Sequence, residues 1–287
     1  MRRTCYNSCC SSISVKGYTD NMDKTNVIML CDYGLDDAAA TAFLLQNSER
    51  FGQIDLVPIG GNVPLDVSQR NAHRILYHFD GRKNKVRIVD TASVPQSGEF
   101  LKDIHGNDGI GDILPAEYEP SESVVSFDAW VDTISPNSVL VSLGPCTVTQ
   151  RIMEKNPTLP LVLMAGNISE APNYMGYEFN HGMDTDAFAA SVKYPHVIAT
   201  LDTCHHPLCD FYGIENKGNS LLHRFCKRFV ELSKERNEKG AFIYDLIALQ
   251  YLYQPESFSI EPLTDQDGNR LHVLRYIAKQ RIISLSE

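Results

Sequence analysis

The chain has 287 residues, of which 43% are hydrophobic and 22% charged, a make-up expected of a globular protein with room for one large α/β domain or two small ones. A formal net charge of -10 and a pI near 5.4 repel phosphate backbones and exclude nucleic acid as an expected partner. No apolar run approaches the roughly 20 residues of a membrane helix, so no membrane partner is expected.

The first segment, residues 1–24, is rich in Ser, Asn and Gly and lacks an apolar stretch after its two early arginines, so it reads as a flexible arm and not as a secretory leader. Residues 25–287 read as a single domain. Three of the eight cysteines, Cys5, Cys9 and Cys10, lie in the arm, and no C-x-x-C pair occurs. Zinc is therefore poorly supported by the cysteines, and scattered single thiols fit a reducing, cytoplasmic setting.

Short apolar runs follow at Val27–Leu30, Ile54–Ile59, Val86–Val89, Ser138–Leu143, Leu161–Met164 and Val197–Leu201, each a predicted strand. Helical patterns separate them. Asp37–Gln46 places Ala38, Ala42 and Leu45 on one face, and Val67–Phe79 carries a stripe of Ala72, Ile75, Leu76 and Phe79. "TVTQRIMEKNP" and "DTDAFAASVKY" give two more helices, and Ser220–Glu235 and Phe242–Tyr253 two longer ones. Strand alternating with helix predicts parallel pairing with right-handed crossovers, hence an open, mostly parallel, doubly wound (Rossmann-like) α/β sheet. Ligands of such sheets sit beyond the carboxyl ends of the strands. Polar residues do cluster there: Asp32, Asp36 and Asp37 after the first run, Asn62 after the second, Thr147 after the fourth, and Asn173, Glu178 and Asn180 after the fifth.

The stretch "LCDYGLDDAAA" raises the sharpest question, because Asp32, Asp36 and Asp37 repel one another. One carboxylate at a helix start is explained by capping and by the positive end of the helix dipole. Three together point to a hard divalent cation, calcium or magnesium, whose oxygen ligands these are. Cys31 should face away from Asp32 on an extended strand, which disfavours softer metals.

The motifs "CDYGLDDA", "GGNVPLDVSQRNAHRIL", "VSLGPCTVTQ", "MAGN", "YEFNHGMDTDA" and "FIYDLIALQYLYQPESF" resemble, in order and character, those of the nucleoside hydrolases, the inosine-uridine preferring nucleoside N-ribohydrolases. The resemblance runs from about Asn26 to Phe258. It implies the nucleoside hydrolase type of sheet and calcium-dependent (Ca2+) hydrolysis of a ribonucleoside to free base and ribose in nucleoside salvage. It implies that Asp32 is a calcium ligand and the base that activates water, that Asp37 and Asp245 are further ligands, and that Thr147 offers its backbone carbonyl. Asp36, Asn173, Glu178 and Asn180 are then expected on the ribose hydroxyls, with Met164 and Asn62 lining the same pocket. A homodimer or homotetramer is implied as well.

Four departures accompany the resemblance. The pattern D-x-D-P-G-x-D-D has Leu30 for its leading Asp and Tyr33 for its Pro, and Tyr244 stands where a His, a candidate acid for the leaving base, usually precedes the last ligand. A tyrosine, with an ordinary pKa near 10, is the poorer proton source. The segment from Cys209 to Asp245 looks short, and the arm has no counterpart. "NSLLHRFCKRFVEL" reads either as a lid helix with His223 and Phe229 on the base, or as plain core. His105, in "IHGNDGIGD", is either a pocket-closing residue or a solvated loop histidine. His205 and His206 are expected to point apart on a strand, at the surface or behind the site.

Three other functions compete. A non-catalytic relative could keep the cation and a ribosyl ligand. A phosphotransferase of the haloacid-dehalogenase type needs an Asp where Gly34 stands, and dinucleotide binding lacks a G-x-G-x-x-G after the first strand.

Overall fold

The computed structural model describes residues 24–79, 85–215, 217–281, 283 and 285. The expected flexible arm therefore lies outside the described residues, apart from Lys24.

Among the described residues nine strands form one sheet: β1 (Asn26–Cys31), β2 (Ile54–Pro58), β3 (Val86–Asp90), β4 (Val124–Ser126), β5 (Ser138–Ser142), β6 (Leu161–Met164), β7 (His196–Ala199), β8 (Phe258–Thr264) and β9 (Arg270–Tyr276). Their spatial order is β4-β3-β2-β1-β5-β6-β7-β9-β8. Every pairing is parallel except β8 with β9. The order reverses between β1 and β5, so the crevice of this doubly wound sheet opens there. The six apolar runs all become strands.

Alternation along β1 feeds two cores. Val27, Met29 and Cys31 join one hydrophobic cluster, and Ile28 and Leu30 join the other. The first cluster packs under α1 (Leu35–Gln46). The second holds the lone tryptophan, Trp130, whose indole Nε1 donates to Asp55 at 2.8 Å. The remaining helices are α2 (Leu65–Tyr77), α3 (Lys102–His105), α4 (Phe127–Trp130), α5 (Thr147–Lys155), α6 (Phe179–Met183), α7 (Thr185–Ser191), α8 (Leu201–Cys204), α9 (Leu221–Glu235) and α10 (Tyr244–Tyr253).

Three differences from the sequence reading have physical causes. The single apolar face expected for α1 is an understatement: ten of its twelve residues are buried, because α9 and α10 also pack against it. The β8–β9 hairpin escapes the strand-helix alternation because it comes after the last crossover. Its "DQDGN" turn, with Gly268 at φ 85°, is a local signal that the alternation masks. His205 and His206 do not lie on a strand, since β7 ends at Ala199 and His205 caps α8.

Candidate active site

The carboxyl ends of β1, β2, β5 and β6 converge on one cavity of about 350 Å³. Its floor is polar and includes Asp36, Asn62, Asn173, Glu178, Asn180 and Asp245. The rest of its lining is largely apolar and comes from loops and late helices, among them Ile104, Tyr174, Phe229 and Phe242, with Arg236 and Glu238 as charged members. Met164, His105 and Tyr244 also line it.

Asp36, Asp37 and Asp245 each place a carboxylate oxygen within 4.8 Å of the others, and all three residues are buried. Asp37 does cap α1, its Oδ2 accepting from the Gly34 backbone N–H at 2.9 Å. The cap occupies one oxygen. Asp37 Oδ1 and Asp36 Oδ1 are buried without a hydrogen-bond partner among the described residues. Buried charges of one sign with open oxygens call for an opposite charge. The donors are all oxygen, and three are carboxylates, so this centre fits a hard divalent cation.

Asp32 lies beside that cluster and outside the cavity lining. Its Oδ2 accepts from the Asn62 backbone N–H and its Oδ1 from Asn62 Nδ2, both at 2.9 Å. Its seat exists because two neighbours are glycines. A Cβ on Gly61 would come within 2.0 Å of Asp32 Oδ2, and one on Gly144 within 3.0 Å of Asp32 Cγ. Those glycines lie in the loops that follow β2 and β5, on either side of β1.

Burial sets the electrostatics. It raises Asp32 to about 6, against hydrogen bonds from Asn62 and Asp37 that lower it. It raises Asp36 to about 7, with the Asp32 charge adding to the rise. Burial pushes Asp37 well above the usual carboxylate range, with the charges of Asp245 and Asp32 adding to the rise, and it pushes Asp245 up as well, with Asp36 and Asp32 adding to the rise and a hydrogen bond with Asp37 opposing it. Glu178 rises to about 7 through burial, although three backbone N–H groups bind it. Those donors are Gly166 at 2.7 Å, Asn180 at 3.0 Å and His181 at 3.1 Å, and they lock Glu178 as the N-cap of α6. Asn180 is fixed through Nδ2, which donates to the carbonyls of Leu143 and Met164 at 3.1 and 2.9 Å.

His105 is no solvated loop residue. It is 4% exposed, and its Nδ1 accepts from the Leu35 backbone N–H at 3.0 Å. That bond and a pKa pushed down to about 3 by burial and by Arg236 leave the ring neutral, 3.8 Å from Asp36 Oδ1. The helix read as lid or core is both, for Phe229 lines the cavity while His223 bonds Ser220 and the Leu285 carbonyl. Thr147 opens α5 with its hydroxyl donating to Asp184 at 2.6 Å, and it is not among the residues lining the cavity. Leu30 is core. Tyr33 is buried at φ 48°, a value closed to the proline of the expected pattern.

Two participants were not assigned from sequence. His205 Nε2 is 3.1 Å from the Tyr244 hydroxyl, and His205 Nδ1 is 3.0 Å from Glu170 Oε2. A carboxylate–imidazole–phenol chain thus reaches the cavity wall. Arg236 also lines the cavity and donates to the carbonyls of Asp103 and Ile104, tying the end of α9 to the His105 loop. Nothing in local sequence joins position 236 to 103.

The raised carboxyl pKa values make stability depend on pH. A group raised in the fold contributes stability below its unfolded value near 4, and that contribution is lost as pH rises through about 6 to 7. A cation relieves the loss. Calcium added to chelator-treated protein is therefore expected to raise the melting temperature much more at pH 8 than at pH 5.5. Thermal denaturation at the two pH values measures this, and equal shifts would contradict it.

Among the described residues no helix is long and apolar enough to cross a membrane. Residues 27–276 match the family model described as inosine-uridine preferring nucleoside hydrolase. Among curated relatives, a non-specific ribonucleoside hydrolase, RihC, of Escherichia fergusonii is 26% identical over 250 residues, 80% of each chain. The Klebsiella pneumoniae protein of the same name is 27% identical over 257 residues, covering 82% of this chain and 81% of the relative. Among solved structures, a purine-preferring ribonucleoside hydrolase from Gardnerella vaginalis superposes with a TM-score of 0.66 at 22% identity, covering 88% of each chain. A plant nucleoside hydrolase, PpNRh1, gives 0.65 at 20%, with 88% of this chain and 87% of that one covered. The parallel sheet, its switch-point cavity and these matches lead to one conclusion: the chain belongs to the inosine-uridine preferring nucleoside hydrolase family, hydrolases that cleave N-glycosidic bonds.

Proposed function

We propose that this protein hydrolyses ribonucleosides to free base and ribose, in nucleoside salvage, with calcium as its cofactor. The observation that carries the reading is the meeting of Asp36 and Asp37 with Asp245, from the far end of the chain, at the floor of a cavity whose walls are aromatic. Polar floor and apolar wall match the two halves of a nucleoside. The residues that would hold calcium are Asp32, Asp37 and Asp245 with the Thr147 carbonyl. Asp36 joins them more closely than its sequence assignment to the ribose implied. A bound calcium ion supplies positive charge that makes a water easier to deprotonate and anchors the sugar diol.

The chain's own residues do the rest. Asp32, held at both oxygens by Asn62, keeps a lone pair on each and takes the proton of the attacking water. Asp36, Asn173, Glu178 and Asn180 fix the ribose hydroxyls. Their oxygens also lower the energy of the oxocarbenium-like sugar that forms as the base departs. Glu178 and Asn180 need no reorganisation, because backbone groups already hold them. Met164, Phe229 and Phe242 line the cavity, and we assign Met164 to the sugar and the two phenylalanines to the base.

Tyr244 donates to the leaving base. Burial raises its pKa above the ordinary 10, so the phenol keeps its proton at neutral pH. His205 removes the weakness of a phenol as a proton source. As the Tyr244 O–H moves to the base nitrogen, His205 Nε2–H replaces it, and His205 recovers a proton from solvent while Glu170 holds its Nδ1.

Release of reducing sugar from inosine, uridine and their relatives tests the activity, with chelator and with calcium restored. Turnover that stops with chelator and returns with calcium is expected, as is at least a thousandfold loss in Asp245→Asn. Ligand binding without sugar release would instead establish a non-catalytic relative. A homodimer or homotetramer is expected from sedimentation.

The proton chain has its own readout. Tyr244→Phe and His205→Gln are each expected to lower kcat on inosine by roughly a hundredfold, the scale of general acid catalysis. On a riboside with a nitrophenolate leaving group, which needs no proton, both variants should stay close to the parent. Equal losses on the two substrates would refute a proton-donating role.

A further inference from the structure

Away from the cavity lining, a second cluster joins α6 to the C-terminal hairpin. His181 follows Asn180 on α6 and is 2% exposed. Its ring stacks on Phe188 with centroids 3.8 Å apart, and it leans on Tyr177 at 4.5 Å, so it has little freedom to turn. Its Nε2 is buried and has no hydrogen-bond partner among the described residues. That nitrogen points at the β8–β9 turn, where Asp267 Oδ2 is 3.6 Å away. Nε2 and one oxygen each from Asp265 and Asp267 lie within 4.8 Å of one another.

A direct bond does not explain this arrangement. At 3.6 Å, His181 Nε2 and Asp267 Oδ2 are too far apart for a hydrogen bond. Two ligands of a tetrahedral zinc ion, each about 2.0–2.2 Å from the metal, stand about 3.4 Å apart. Burial lowers the His181 pKa despite both carboxylates, so the ring is neutral, the form that ligates. Asp265 is already oriented, for Oδ1 accepts from the backbone N–H groups of Asp267 at 3.0 Å and Asn269 at 2.8 Å, and Oδ2 from Asn269 Nδ2 at 2.9 Å. The Tyr177 hydroxyl donates to Asp267 Oδ1 at 3.4 Å. Such partners hold carboxylate ligands in place.

We infer that His181, Asp265 and Asp267 form a second metal site, for a divalent transition ion of the zinc class. One imidazole with two carboxylates suits zinc, whereas calcium takes six to eight oxygens. Solvent completes the coordination, because Asp267 lies at the surface. The site clamps the hairpin turn onto the segment that carries Glu178 and Asn180. The Gln266 Nε2 bond to the Gly176 carbonyl, at 3.0 Å, already draws the same two segments together. The inference does not depend on the activity proposed above.

Equilibrium dialysis of the full-length, metal-stripped protein against zinc, with calcium saturating, tests it. Asp267→Asn, on the exposed turn, is the primary variant, and His181→Asn is the second. Circular dichroism checks that each variant is folded. The parent is expected to bind one zinc equivalent more than either variant, with affinity at that site reduced at least about tenfold in Asp267→Asn. Zinc is expected to raise the melting temperature of the parent and not that of Asp267→Asn. Zinc held elsewhere, for example by thiols, appears equally in all three proteins and cancels in the difference. Equal zinc uptake by the parent and the folded Asp267→Asn variant, or none by the parent, would overturn the inference.

Discussion

Like charges buried together are the constraint around which this molecule is built. Asp32, Asp36, Asp37 and Asp245 are each under 10% exposed, and each is pushed toward its neutral form by burial, Asp36, Asp37 and Asp245 also by the charges of their neighbours. A fold tolerates such a cluster when something returns the lost solvation. Hydrogen bonds do part of this, since Asn62 satisfies Asp32 and the start of α1 satisfies one oxygen of Asp37. The remaining open oxygens face one another, an arrangement a divalent ion converts from repulsion to attraction.

Topology makes the cluster possible. The reversal of strand order between β1 and β5 opens the crevice into which the β1 loop turns. Gly61 and Gly144 let the backbones of the flanking loops close on Asp32. Asp245 arrives from the opposite side, on the first turn of α10, which is buried between the sheet and α1. One end of the sheet therefore collects acid groups, while α9 and the loops around Phe242 supply the apolar cover.

Much of this was legible in the residues. Every apolar run became a strand because parallel strands buried on both faces are continuous apolar segments. Asn62, Glu178 and Asn180 reached the cavity because polar groups just past the strands of a parallel sheet have one place to go. Other features needed three dimensions. His105 reads equally as a pocket-closing residue or a solvated loop histidine until Leu35 and Arg236 are seen closing over it. His205 sits on a helical turn, so the strand rule that separated it from His206 did not apply, and its bond to Tyr244 spans 39 positions. Asp265 and Asp267 belong to a hairpin outside the strand-helix alternation, and nothing near them in sequence announces His181.

In the proposed function one cation links Asp37, early in the chain, to Asp245, late in it. The most direct measurement is a crystal structure of the calcium-soaked protein with anomalous data. The account requires a single strong peak at the cavity floor, about 2.3–2.6 Å from oxygens of both Asp37 and Asp245. A floor without a peak, or a peak bound by only one end of the chain, would contradict it.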